Sequence, residues 1–547
     1  MIMLQFKWIN TVCMLFLACG LAGVVPRFSL GGQPNASVDA TATINQHMRH
    51  YWTDHQIEPA QLCSDREFVR RVTLDLAGRL PTLAELQAFL ADEREDKRQG
   101  WVDHLLSSED YVQHFADLFD ALLMGRGPEK VYRQRVEYGW RGYLEDLFRE
   151  NRAWDQVAQE ILLARPQDAA REGAVWYLYE RNNQHQAIAE AVAPAFFGVR
   201  IECAQCHDHM MVDEIKQAHY WGLVAFFNRG ENVKSDVGPR VAESAVGGFS
   251  EFADLSGDSS PNLLSFLDAE IVDEARPGAD DKQEDGDDLY ISTEDAKEYL
   301  AGEPRIPKFS RRQQFVEQVL SQHRLLPRAM VNRLWAIMMG RGIIHPYDEM
   351  DSMHAASQPE LLDWLADDFA QHFDIRRTLR SLALSEVYQL QSQRPIGVED
   401  PATFAWYLER PLTGEQVARS IQVVVLGESQ ADSQLVRDFR QQLTEVLPDE
   451  AIAGVDDALF FSNGNALEEF LTESSTQDTH FLSRVCQLDS HSDRCQQMFL
   501  AALGREPTVE EAAAVVAFLE QRSDDLAAAV RHVLWSLITS AEFQLNH

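Results

Sequence analysis

Residues 64–90, SDREFVRRVTLDLAGRLPTLAELQAFL, decide the fold class. Ser64 followed three residues later by Glu67 is a capping-box pattern, and it leads into Phe68, Val69, Val72, Leu74 and Leu76 at roughly helical spacing. Gly78 and Pro81 break that helix, and Thr82 caps a second one carrying Leu83, Leu86, Phe89 and Leu90. The same punctuation recurs outward: helices are predicted over 101–106, 111–124, within 136–163 and over 185–197, the last interrupted by Pro194 and Gly198. Helices resume over 315–320, 328–339, 359–373, 375–390, 414–425, 509–518 and 526–543. Aromatic residues such as Tyr138, Trp140, Tyr143, Phe148 and Trp154 fall on apolar stripes and read as core. Strand alternation is sparse and strand–helix–strand punctuation is absent. The expectation is a mainly α protein, with two helical domains joined by an acidic, partly disordered insert.

At 547 residues the chain exceeds one ordinary core, so more than one domain is expected. The first helical domain is placed at 46–230, the insert at 231–310 and the second domain at 311–547. Hydrophobic residues at 45% and charged residues at 25% describe a folded chain rather than a disordered one. A formal net charge of −37 argues against nucleic acid, whose phosphates it would repel. The run Asp281 to Gly286 falls short of a calcium loop: Gln283 and Ser292 stand where carboxylates are needed, which leaves a solvated acidic tract.

Lys7 precedes an uncharged apolar run ended by Pro26, so residues 1–25 read as a signal peptide or N-terminal membrane anchor, with 26–45 as a linker. Phe16-Leu17-Ala18-Cys19-Gly20 loosely resembles a lipoprotein cleavage box, with acylation at Cys19. Each reading makes the remainder extracytoplasmic: periplasmic, membrane-anchored or secreted. In such an oxidising space Cys486 and Cys495 are close enough in sequence for a disulfide, and Cys63 is left over.

Cys203-Ala-Gln-Cys206-His207 has the spacing of c-type haem attachment. On a helix the three side chains fall at i, i+3 and i+4 and share a face. Cys203 and Cys206 then add to the vinyl groups and His207 is the proximal ligand. Met210, Met211, His209, His219, His185 and His354 are candidates for the second axial position, and His219 is preferred on reach. The same residues admit a zinc site using Cys203, Cys206, His207, His209 and His219, or a Cys203–Cys206 disulfide. A second polar set, Asn332, Arg333, Arg341 and Asp348, flanks a Gly-Arg-Gly turn. It reads either as an anion or carbohydrate clamp or, preferably, as bracing of helix ends. No GxSxG, HExxH or Walker pattern is present.

Several longer pieces carry a family resemblance. They are Leu74-Asp-Leu-Ala-Gly-Arg-Leu-Pro-Thr82, Val102-Asp-His-Leu-Leu106 and the run from Phe197 to His209, then Val331-Asn-Arg-Leu-Trp335 and Gly340-Arg-Gly342. Pro359-Glu-Leu-Leu-Asp-Trp-Leu365, Ala458-Leu-Phe-Phe-Ser-Asn-Gly464 and Ser540-Ala-Glu-Phe543 complete them. In this order they resemble the tandem domains of unknown function first defined in planctomycete cytochrome-like proteins. The resemblance implies an exported protein with CxxCH and names no reaction. Departures from the family pattern are Met210-Met211 after the histidine motif, Asp348-Glu-Met350 for Asp-Phe-Gly, and Ser357-Gln358-Pro359 for Ser-His-Pro. The expected function is an exported haem-binding redox protein with a redox or envelope protein partner. The opposing expectation is a non-haem envelope protein in which the motif serves structure, partner binding or polysaccharide binding.

Overall fold

The computed structural model describes residues 39–236, 238–278, 281–299, 302–443, 447, 465–474 and 480–547. The expected targeting segment 1–25, with Cys13 and Cys19, and the marker Ala458 to Gly464 lie outside the described residues. The fold is mainly α, with short two-stranded sheets and a few isolated β-bridges as its only β structure among the described residues.

The helix Asp65–Ala77 is the hub. Ser64 Oγ accepts the Glu67 amide at 3.2 Å, while the Glu67 carboxylate turns to Arg71 rather than back to Ser64, so only half of the predicted box forms. Gly78, at φ +66°, closes the helix, and a Cβ there would meet the His114 ring within 2.5 Å. The next helix, Leu83–Ala91, does have a reciprocal box between Thr82 and Glu85. Phe68, Val69, Val72 and Leu76 enter the larger hydrophobic core, which runs from Ile44 to Tyr407. Leu74 and Leu80 enter a smaller core built from 412–543. One helix thus supplies both cores.

Arg70, Arg71 and Asp75 are buried as well, and they hold the C-terminal strand and the chain near 388. Arg70 donates to the carbonyls of Glu542 at 2.9 Å and Phe543 at 3.2 Å. Arg71 donates to Tyr388 and Leu390 carbonyls, both at 2.7 Å. Asp75 accepts from Tyr388 Oη at 2.7 Å and Asn546 Nδ2 at 2.6 Å, and pairs with Arg410. Removing one partner of such a buried pair costs about 3–5 kcal/mol.

The segment expected as a loose acidic insert carries structure. Strands Gly230–Ser235 and Gly238–Glu243 pair antiparallel, with Gly230 opposite Glu243. Glu251–Ala253 and Ser259–Pro261 form a second hairpin. Buried Glu243 accepts from Arg165 at 2.6 Å, Ser310 Oγ at 2.7 Å and the Arg311 amide at 2.6 Å, which pins the segment to helices on either side. Leu264 and Phe266 join the larger core. Charge content alone hid these anchors, because a carboxylate is expensive to bury and here the cost is offset only by partners distant in sequence, Arg165, Arg312 and Ser310.

All five described cysteines are free, which corrects the expected Cys486–Cys495 disulfide. Cys495 sits in the smaller core and Cys486 packs against it, and burial raises both thiol pKa values. Among the described residues no helix is long and apolar enough to cross a membrane.

Candidate functional site

The helix His185–Val192 runs into a π turn, Ala193–Phe197, where Pro194 has no amide to give. Arg333, from the helix Leu325–Met339, donates to the carbonyls of Pro194 at 2.8 Å and Ala195 at 2.9 Å. Gly198, at φ +67°, ends the turn, and its carbonyl accepts the Met350 amide at 2.7 Å. The CxxCH stretch follows at once, anchored from behind by the second half of the chain.

The motif is not on an α-helix. Glu202–Gln205 is a single 3-10 turn and Cys206 follows it, so the i, i+3, i+4 face expected for Cys203, Cys206 and His207 is absent. In a 3-10 turn residues three apart eclipse, which still suits the two cysteines. Both thiols are free and exposed. Ala204 is buried beneath them, and the Gln205 carbonyl accepts from Trp221 Nε1 at 3.0 Å and Gln217 Nε2 at 3.2 Å.

His207 differs in tautomer from its neighbours His209 and His219, and the hydrogen bonds say how. His207 Nδ1 lies 2.7 Å from the Asp208 carbonyl, which only accepts, so Nδ1 donates there and in the neutral ring Nε2 holds the lone pair. His209 Nδ1 instead accepts the amides of Val212 at 3.0 Å and Met211 at 3.3 Å. His219 Nδ1 accepts the Lys216 amide at 3.2 Å and caps the helix Gln217–Phe227. In the neutral ring those two histidines hold their proton on Nε2, so neither offers a free ring nitrogen. Burial also lowers the His219 pKa, which favours that neutral form. His185 Nε2 is 2.9 Å from the Gly230 carbonyl. Met210 and Met211 are 83% and 66% exposed. His207 therefore has a ring nitrogen with no hydrogen bond, whereas the His219 Nδ1 is taken up in capping a helix.

Among the described residues Cys203, Cys206 and the nearby histidines do not converge as a three-donor metal set; the one set that does is Glu349, Asp351 and His354. These residues follow the Gly-Arg-Gly turn. Asp351 and His354 line a cleft of about 740 Å³ that Glu214, Ile215 and His219 border from the motif side. Ser352 ties the two walls: its amide and hydroxyl donate to Glu214 at 2.6 and 2.9 Å. Burial works to raise the Glu214 pKa, but these bonds and its own amide outweigh it and hold the carboxyl low.

The second polar set is structural in its contacts. Asn332 exchanges bonds of 2.9 Å with the Ile344 amide and carbonyl. Gly342 lies under that turn, where a Cβ would come within 2.1 Å of the Ile344 oxygen. Asp348 accepts from Arg200 at 3.0 and 3.1 Å, joining the strand of chain before CxxCH to the loop after the turn. Among the described residues no hydrogen bond joins Arg341 to the other three; burial lowers its pKa, and Asp400 opposes that. Sequence reasoning had His354 as a haem histidine and passed over the Glu349-x-Asp351-x-x-His354 spacing, the one signal for that cluster.

Fold and site together define a mainly helical protein whose CxxCH loop is clamped by a second helical segment. Two families match it: Protein of unknown function DUF1549, PSCyt2, over residues 43–232, and Protein of unknown function DUF1553, PSD1, over 311–445. The chain belongs to the proteins built on this tandem pair. No curated protein and no solved structure matches it.

Proposed function

We propose that the chain is an exported carrier of c-type haem, bound through Cys203, Cys206 and His207 and serving extracytoplasmic electron transfer or oxidoreduction. The observation that carries this reading is the His207 tautomer: a half-buried imidazole with Nε2 free of any hydrogen bond, next to two free, exposed thiols three residues apart. The donors suit the group, because thioether formation needs accessible thiols and axial ligation needs an unprotonated ring nitrogen. When bound, the haem supplies one-electron chemistry. The chain's part is to present the two thiols from one turn and to fix the His207 ring through Asp208. The free thiols and the lack of a converging donor set speak against a disulfide or a preformed zinc site there. Haem staining of a denaturing gel, after co-expression with a c-type maturation system, tests the reading. The intact chain stains and the Cys203→Ala/Cys206→Ala variant does not; an unstained intact chain rejects it.

A further inference from the structure

The turn between the helices Asp65–Ala77 and Leu83–Ala91 is seated on a third helix, Gly414–Leu426. The Leu80 amide donates to Ser420 Oγ at 3.1 Å, and Gln416 Nε2 donates to the Leu74 carbonyl at 2.9 Å. The short helix Phe481–Cys486 and the helix His491–Leu503 approach from the other side without filling the space between. A cavity of about 470 Å³ is left, within the range of about 300–1,000 Å³ usual for small-molecule sites. Gly427 lies on its wall, and a Cβ there would meet nothing within 4 Å.

The wall is mostly apolar, with Val423, Val424, Phe481, Val485 and Leu488. Among the described residues that line it none is acidic, and the one cation is Arg484. That is selective in a chain with 86 acidic residues against 49 basic ones. Arg484 is exposed, and among the described residues its guanidinium has no hydrogen bond or ion pair. The carboxylate closest in sequence to the wall at Thr82, that of Glu85, is drawn elsewhere. It takes Arg79 at 2.8 and 3.0 Å and the Thr82 amide at 2.7 Å. One helix begins at the cavity, after Thr82, and another ends there, at Gly427, so their dipoles oppose and Arg484 sets the sign.

A guanidinium without a counterion beside an apolar wall is complementary to an amphipathic anion. Its fork matches a carboxylate with two parallel N–H bonds, and an apolar tail covers the wall. We propose that this cavity binds a carboxylate with an apolar tail, of the medium-chain fatty-acid class, with Arg484 holding the carboxylate and Val424, Phe481 and Val485 the tail. The site is separate from the CxxCH loop and stands whether or not haem is attached.

Decanoate is titrated into the full chain and the heat recorded by calorimetry, with decanol and acetate as probes of tail alone and charge alone. One decanoate per chain is expected, with decanol and acetate at least tenfold weaker. Arg484→Gln should weaken decanoate at least tenfold, and so should Ala84→Phe, which fills the cavity from an exposed helix position on its wall. Arg484 anchors no other described residue, so its variant carries the test if Ala84→Phe does not fold. No binding of decanoate, binding unchanged by Arg484→Gln, or decanol or acetate binding as tightly as decanoate would overturn the proposal.

Discussion

Arg333 donates to the carbonyl oxygen of Ala195 at 2.9 Å, so a side chain from the second matched segment closes the π turn that feeds the CxxCH loop of the first. The guanidinium is fully buried, and burial lowers its pKa against the pull of Tyr347 and Asp348. Its charge is kept for what the fork holds, the carbonyls of Pro194 and Ala195 inside the π turn.

Replacing Arg333 with Met removes both donors while keeping most of the apolar stem. Hydrogen bonds from a charged donor contribute about 1.5–3 kcal/mol each, and relief of the buried charge returns part of that. The expected net loss is about 2 kcal/mol, read as a lower urea midpoint with an unchanged slope. An unchanged midpoint would show that the clamp is dispensable.

Gly198 is the second support of that turn. An alanine Cβ at φ +67° would lie 3.0 Å from Met350 Sδ and 3.1 Å from Ala329 Cβ. The left-handed conformation alone costs an L-residue about 1–2 kcal/mol. Gly198→Ala is expected to destabilise by at least that amount, and adding Met350→Ala should recover only the contact part. Full recovery in the double variant would mean the backbone is not constrained there.

Glu303 gives a pH signature. Burial raises its pKa to about 7, against Arg312, Arg165 and Arg240. A carboxyl that titrates higher in the folded than in the unfolded chain is stabilising below pH 4.5, and that stability is lost as pH rises to about 7. His114 acts oppositely: burial and then Arg419 lower its pKa to about 3, so its contribution falls as pH drops below 6.5. Glu303→Gln should therefore melt closer to wild type at pH 5 than at pH 8, where it should be the more stable of the two. Identical pH profiles for the two proteins would refute the assignment.

What the sequence disclosed was local. Ser64, Thr82 and Gly78 mark helix ends within a few residues of themselves, and all three act as caps in the structure. The apolar stripes at Trp140, Tyr143 and Trp154 are core because periodicity needs no partner to be read. The hairpin at 230–243 was hidden because its hydrophilic strands alternate weakly and its anchor, Glu243, binds arginines 78 and 69 residues away in the chain. The capping role of the His219 Nδ1 was hidden for a similar reason, since which ring nitrogen is occupied depends on a backbone amide that sequence does not locate. The cluster of Glu349, Asp351 and His354 needs a folded loop to close.

The central claim is that Cys203, Cys206 and His207 carry covalent haem, and the absorption spectrum of the purified protein tests it most directly. After co-expression with a c-type maturation system and acid-acetone extraction, a Soret band and an α band that remain with the polypeptide are expected. A colourless, folded protein with both thiols still titratable would contradict it.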